Sequence, residues 1–207
     1  MNKKYTYKVW QMNQDEKTIL QIVNTHLILW DKGCCFIGYT NEKTVVMAKY
    51  FVFEHDIQVT DLEGIFMDEP IFGGEEPVTN IWLCTTRQSI IPKQLYKESL
   101  SKDWIRKVYY IGPDEIIIAI PLLKPAGYIT FPIENSLHSF VADWFPNAII
   151  DNIVNASFSD NQSQNMTLCI MPNIATLATF DTKQLLQYVV FEYTNADEIL
   201  YKIGSVA

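Results

Sequence analysis

One arrangement of residues occurs twice in this chain of 207 residues. From Met166 to Gly204, MTLCIMPNIATLATFDTKQLLQYVVFEYTNADEILYKIG reads as strand, tight turn, strand, turn, strand and helix. The stretch HLILWDKGCCFIGYTNEKTVVMAKYFVFE, from His26 to Glu54, has the same order and leads into a weaker helical segment. Set side by side, His26–Trp30 answers Thr167–Met171, Cys34–Thr40 answers Ile174–Phe180, and Val45–Glu54 answers Leu185–Tyr193. A unit used twice constrains the fold more than any propensity does, because each copy must bury its own apolar faces. Turns this short force antiparallel neighbours, so each copy is a three-stranded meander.

The turn chemistry supports the pattern. Asp31-Lys32-Gly33 separates the first two strands, with Gly33 expected at positive φ, and Asn41-Glu42-Lys43 separates the next two. The corresponding first turn of the later copy is Met171-Pro172-Asn173. Around the meanders, Tyr5–Met12 alternates as an edge strand does, and Asp15–Val23 is a short helix candidate. Thr60 with Glu63 has capping-box spacing at the head of a helix over Thr60–Met67. Asn80–Thr85 extends the first sheet, and Ser89–Ser101 reads as a helix with Pro92 in its first turn. Strands are expected at Glu115–Ile120 and Gly127–Ile133. They precede a helix opened by Asn135 or Ser136, whose Leu137, Phe140, Val141 and Trp144 share one face. The polar run Asp151–Asn165 marks the boundary between a first domain, 1–150, and a second, 151–207. Asn195 caps the last helix, which turns Ile199, Leu200 and Ile203 toward its sheet.

Composition narrows the function classes. An apolar content of 48% supports a filled core and argues against disorder. A net charge of −8 repels phosphate backbones, so nucleic acid is not an expected partner. The N-terminus lacks the apolar run of a signal peptide and no stretch reaches the ~18 apolar residues of a spanning helix, so no membrane partner and a cytoplasmic location are expected. The four Cys have no C-x-x-C spacing and only three His accompany them, which favours buried reduced thiols over a metal site.

Taken in order, the Asp31–Gly33 turn, Ile91-Pro92-Lys93-Gln94-Leu95-Tyr96, Phe145-Pro146-Asn147-Ala148 and Val190-Phe191-Glu192-Tyr193-Thr194 before Asp197–Tyr201 carry a family resemblance. The chain resembles, from about His26 to Ala207, an uncharacterised bacterial domain-of-unknown-function family assigned to the actin-like ATPase fold. The resemblance implies an α/β (α+β) protein of two ribonuclease-H-like halves, each opening with an antiparallel meander. Members usually continue past the final helix, so the second half is expected to be truncated here and completed by a partner. The family fold also implies a nucleotide gripped between hairpin turns that present a carboxylate and glycines to phosphate and magnesium.

On that reading Asp31 and Gly33 are the candidate ATP and magnesium contacts. The matching turn, Met171-Pro172-Asn173, has neither carboxylate nor glycine, and its proline lacks a donor. The expectation is therefore a non-catalytic interaction or assembly module, with no cofactor. The alternative is a degenerate nucleotide binder with weak or no hydrolysis. Neither His55 with Asp56 nor His138 with Asp143 lies near a nucleophile motif, so both acid–base pairings are disfavoured. Trp104, Tyr109 and Tyr110, in the least regular region, are the candidate contact surface for a protein partner or a second copy.

Overall fold

The computed structural model describes residues 5–11, 22–68, 78–122, 126–156, 166–181 and 184–206. The helix expected over Asp15–Val23 falls almost wholly outside these residues, as does most of the Asp151–Asn165 linker. The elements in order are β1 (Tyr5–Gln11), β2 (Asn24–Trp30), β3 (Gly33–Tyr39), β4 (Val45–Phe53), α1 (Val59–Asp68) and β5 (Val78–Cys84). Then come β6 (Ser89–Pro92), a 3-10 turn (Glu98–Leu100), α2 (Ser101–Arg106), β7 (Glu115–Leu122), β8 (Gly127–Glu134) and α3 (Asn135–Trp144). The chain continues with β9 (Ile149–Asn152), α4 (Ile153–Ala156), β10 (Met166–Met171), β11 (Ile174–Asp181), β12 (Gln184–Glu192) and α5 (Ala196–Val206).

These strands form a six-stranded sheet in the order β1-β4-β3-β2-β5-β9 and two three-stranded sheets, β6-β8-β7 and β10-β11-β12. The β2–β5 pair is parallel, which requires a crossover, and α1 supplies it. Near-continuous burial from Leu27 to Trp30 follows from a central strand covered on both faces. On one face the Phe36 ring meets Phe51 and Phe66 edge-on at 6.3 and 6.0 Å. Phe66 of α1 in turn stacks on Phe140 of α3 at 5.8 Å and touches Trp144 and Phe145. Helix α3 buries Leu137 and Val141, the stripe its spacing announces.

The chain divides into two compact units, one of residues 1–84, 113–116 and 133–151, the other of 85–112, 117–132 and 152–207. The second unit thus gathers more than the tail 151–207. Strand β8 lies between β6 and β7, so this segment closes on itself as a separate sheet. Ser89–Ser101 is not the helix its spacing suggests. Ile91 is buried in β6, and Pro92 pairs with Gly127 at the end of an edge strand, where a missing donor is tolerated. A β-carbon on Gly127 would lie 2.8 Å from the Ile91 carbonyl oxygen, so the pairing itself requires the glycine.

The duplicated meander is present in both units, with one correction to its alignment. Each first turn has two residues, not three: Trp30 pairs with Gly33 across Asp31-Lys32, and Met171 pairs with Ile174 across Pro172-Asn173. Gly33 therefore answers Ile174 and Cys34 answers Ala175, one residue away from the match by composition. A slip of one residue exchanges the faces of a strand, and burial agrees with the shifted match, since Cys34 and Ala175 are both inaccessible. Both copies also carry an irregularity at the same place, between Gly38 and Tyr39 and between Thr179 and Phe180. The later meander packs Ala175, Leu177 and Phe191 against Ile199 of α5, with Ile203 alongside. Leu200, expected on that face, is 65% exposed because it lies about 100° around the helix from Ile199.

Candidate functional site

The residues singled out for phosphate and magnesium sit on the β2–β3 hairpin. Its turn is tied down by its own backbone: the Lys32 carbonyl accepts the Phe53 N–H at 2.9 Å, and the Asp31 carbonyl accepts the Ile57 N–H at 2.8 Å. Asp31 is half-buried. No described glycine has positive φ, so Gly33 does not supply the left-handed turn residue expected of it. Close approach explains it better. A β-carbon on Gly33 would lie 2.4 Å from both the Phe51 carbonyl oxygen and an indole carbon of the buried Trp30. The indole thus fills the space beside the α-carbon.

The β10–β11 hairpin solves the same problem with different chemistry. Pro172 and Asn173 occupy the turn, and Asn173 adopts φ 61°, as the third residue of a type II turn requires. Its carbonyl accepts the Tyr193 N–H at 3.1 Å, matching the bond from Phe53 to Lys32. The Tyr193 hydroxyl also donates to the Met171 carbonyl at 2.7 Å. This turn presents no carboxylate, no glycine and one amide hydrogen fewer.

The histidines are placed differently from the pairs drawn on sequence. His55 Nε2 lies 3.0 Å from Asp61 Oδ2 rather than beside Asp56. The same Asp61 oxygen accepts the Gln58 N–H at 2.9 Å, so Asp61 is the reach-back carboxylate of α1. The helix starts at Val59, two residues earlier than Thr60 as cap with Glu63 would set it. His138 and Asp143 both lie on α3, five residues and so about 140° apart. A grouping not foreseen joins β2, β3 and β5: the Trp82 Nε1–H donates to His26 Nδ1 at 3.2 Å, and the His26 ring lies 4.7 Å from that of Tyr39. Burial pushes the His26 pKa down. The alternation of paired strands was the available signal, since it turns His26 and Trp82 to one face.

All four cysteines are free thiols. Burial raises Cys34 far above the ordinary thiol value, with Cys35 and Asp61 adding to it, and burial raises Cys169 as well. Such thiols are not poised as nucleophiles. Among the described residues, no three His, Cys, Asp or Glu side chains gather as a metal cluster.

The three candidate contact residues separate. Trp104 is half-buried under the Lys107 ammonium, 4.7 Å from its ring centre. The Tyr109 hydroxyl donates to the Gln88 carbonyl at 3.2 Å. Tyr110 stands out, 82% exposed, and its carbonyl accepts a bond from the Arg87 guanidinium at 3.4 Å. A cavity of about 450 Å³ opens beside α5, where the carboxylates of Glu192, Asp197 and Glu198 outnumber the one ammonium, that of Lys202. Its carboxylates disfavour phosphate.

Among the described residues, no helix is long and apolar enough to cross a membrane. A family model described as "Protein of unknown function (DUF3822)" matches residues 14–206. No curated protein matches the sequence. Among solved structures, the chain is similar to a Bacteroides thetaiotaomicron protein described as having an actin-like ATPase fold and unknown function. The TM-score is 0.67 at 18% identity, over 94% of this chain and 79% of that one. The fold is thus that of an actin-like ATPase.

Proposed function

The chain belongs to the DUF3822 family of proteins of unknown function, and from that premise we propose that it is a non-catalytic interaction or assembly module. The observation that carries this reading is the pair of hairpin turns. A magnesium–phosphate clamp needs carboxylate and close backbone approach from both. Here Trp30 occupies the space beside Gly33, and Pro172-Asn173 supplies neither carboxylate nor glycine. The residues present do not fit that group.

The order β4-β3-β2-β5-β9, with α1 after β4 and α3 before β9, supports treating the first half as ribonuclease-H-like. On the same reading, the β10–β12 meander with α5 opens its repeat. The partner is a protein or a second copy, in the cytoplasm, and Tyr110 is the most accessible of the candidate contacts Trp104, Tyr109 and Tyr110. A second reading, a degenerate ATP binder using Asp31 and Gly33, is favoured only by Asp31 being half-buried rather than inaccessible.

Thermal unfolding with and without magnesium and ATP tests the proposal. A ligand at ~100-fold its dissociation constant adds roughly 2.7 kcal/mol and raises Tm by several degrees. The proposal expects no shift at millimolar nucleotide and no turnover above background. Turnover abolished by Asp31→Ala would overturn it.

A further inference from the structure

Residues 93–110, within the second unit, reverse the charge of the molecule. They carry five cations, Lys93, Lys97, Lys102, Arg106 and Lys107, against two carboxylates, Glu98 and Asp103. The rest of the chain carries eleven cations against twenty-two carboxylates, which brings the net charge to −8. All five cations are exposed. Glu98 stands four residues before Lys102, and Asp103 four before Lys107, the spacing that closes ion pairs on a helix. Neither pair is made, and among the described residues none of the five cations joins an ion pair. Lys107 lies instead over the Trp104 ring.

Local structure puts apolar side chains beside these charges. Helix α2 meets the protein on one side only, where Ile105 is buried and Ser101 half-buried. Lys102 and Arg106, one helical turn apart, lie toward solvent. Past the helix, the Val108 and Tyr109 N–H groups both bond to the Ile105 carbonyl, at 3.0 and 2.9 Å, so the chain turns at the helix end and Val108 stays beside it. Tyr109 is anchored inward through its hydroxyl on Gln88. Its neighbours are left outside: Val108 is 64% exposed, Tyr110 more so, and Leu100 at the head of α2 is exposed as well. Apolar side chains held in water next to unpaired cations fit a ligand that supplies both kinds of contact.

We infer that this face takes an acidic segment of a protein partner, with carboxylates against Lys102, Arg106 and Lys107 and an apolar side chain against Val108 and Tyr110. The inference rests on the interaction reading above and gives the chemistry of the partner. Charge complementarity selects it. An extended polyanion, whether a nucleic acid or an anionic bilayer, would bring its charge against the acidic remainder of the chain. A short acidic segment brings its charge to these residues alone. Val108 and Leu100, moreover, offer nothing to a phosphate.

Fluorescence anisotropy on the full chain tests the inference, with a labelled peptide in which pairs of Glu alternate with single Leu. Saturable binding that weakens as salt is added is expected. Lys102→Glu together with Arg106→Glu should raise the dissociation constant at least about tenfold with an unchanged circular dichroism spectrum. Tyr110→Ala should raise it without any change of charge. Asp103→Asn should lower it, a gain that a misfolded variant would not give. The inference is overturned by absence of saturation at millimolar peptide, or by binding indifferent to the double charge reversal. Tighter binding of single-stranded DNA or of phosphatidylserine vesicles overturns it too, as does self-association of the chain that the double reversal abolishes. Nucleotide enters none of these measurements. Turnover of magnesium–ATP would sink the non-catalytic reading and leave peptide binding standing, so the two failures are distinguishable.

Discussion

Trp30 and Gly33 face each other across a two-residue turn, and the indole of one lies where the β-carbon of the other would be. Gly33→Ala must therefore displace the ring and press on the Phe51 carbonyl. Overpacking of this kind costs about 1–3 kcal/mol, which for a chain of this length lowers Tm by roughly 2–4 °C per kcal/mol. Urea unfolding of the variant gives the value. If the glycine served a phosphate instead, the same change would leave stability intact and weaken nucleotide binding.

Phe66 is the hub of the first unit's aromatic core, in ring contact with Phe36, Phe140, Trp144 and Phe145. Phe66→Ala should destabilise by about 3–5 kcal/mol, since both transfer energy and a cavity are involved. Its neighbour Met67 is exposed, and Met67→Ala should stay within about 0.5 kcal/mol of wild type. Chemical denaturation of the pair checks the contrast.

The head of α5 is a paired cap. The Asn195 side-chain oxygen accepts the Glu198 N–H at 3.1 Å, and the Glu198 carboxylate accepts from the Thr194 N–H and hydroxyl at 2.8 and 2.9 Å. Asn195→Ala should cost about 1 kcal/mol. The Thr194 bonds hold the Glu198 carboxyl below its ordinary value of 4.5. Its contribution is thus complete above that value and fades as the pH falls through the lowered one. The stability difference between wild type and Glu198→Gln, followed from pH 7 downward, should shrink only at acid pH.

His26 behaves in the opposite chemical sense but with the same direction in pH. Its folded pKa lies below the ordinary 6.5, so the unfolded chain binds the proton more readily. Stability should fall as the pH drops through 6.5 and level off below the folded value. The bond from Trp82 needs an unprotonated Nδ1 and so fixes the neutral form with its hydrogen on Nε2. His26→Phe should flatten that part of the profile, measured as denaturation midpoint against pH. An unchanged slope would mean that His26 titrates alike in both states.

Much of the local structure was legible. The turns read at Asp31–Gly33, Asn41–Lys43 and Met171–Asn173 are announced by their residues, although the first and last hold two residues rather than three, and α3 is announced by the spacing of Leu137 and Val141. Ser89–Ser101 was not, because the spacing of Leu95, Tyr96 and Leu100 imitates a helical face. In the fold, Leu95 and Leu100 are exposed and Tyr96 stacks on Tyr128 at 3.8 Å. The candidate site was half legible. The absent second carboxylate is plain in the sequence, whereas the reason for Gly33 is not, since a glycine in a turn looks the same whether it admits a phosphate or an indole.

The sequence by itself determined the two meanders, their antiparallel sense and the charge that makes phosphate backbones poor partners, because alternation, turn chemistry and net charge act locally or additively. Only the tertiary structure decided the registers, the units to which 85–132 contribute, and the neighbours of Gly33, His26 and Asp61. Those depend on which distant residues meet, as Trp82 meets His26 across 56 positions of chain, and no local pattern encodes that meeting.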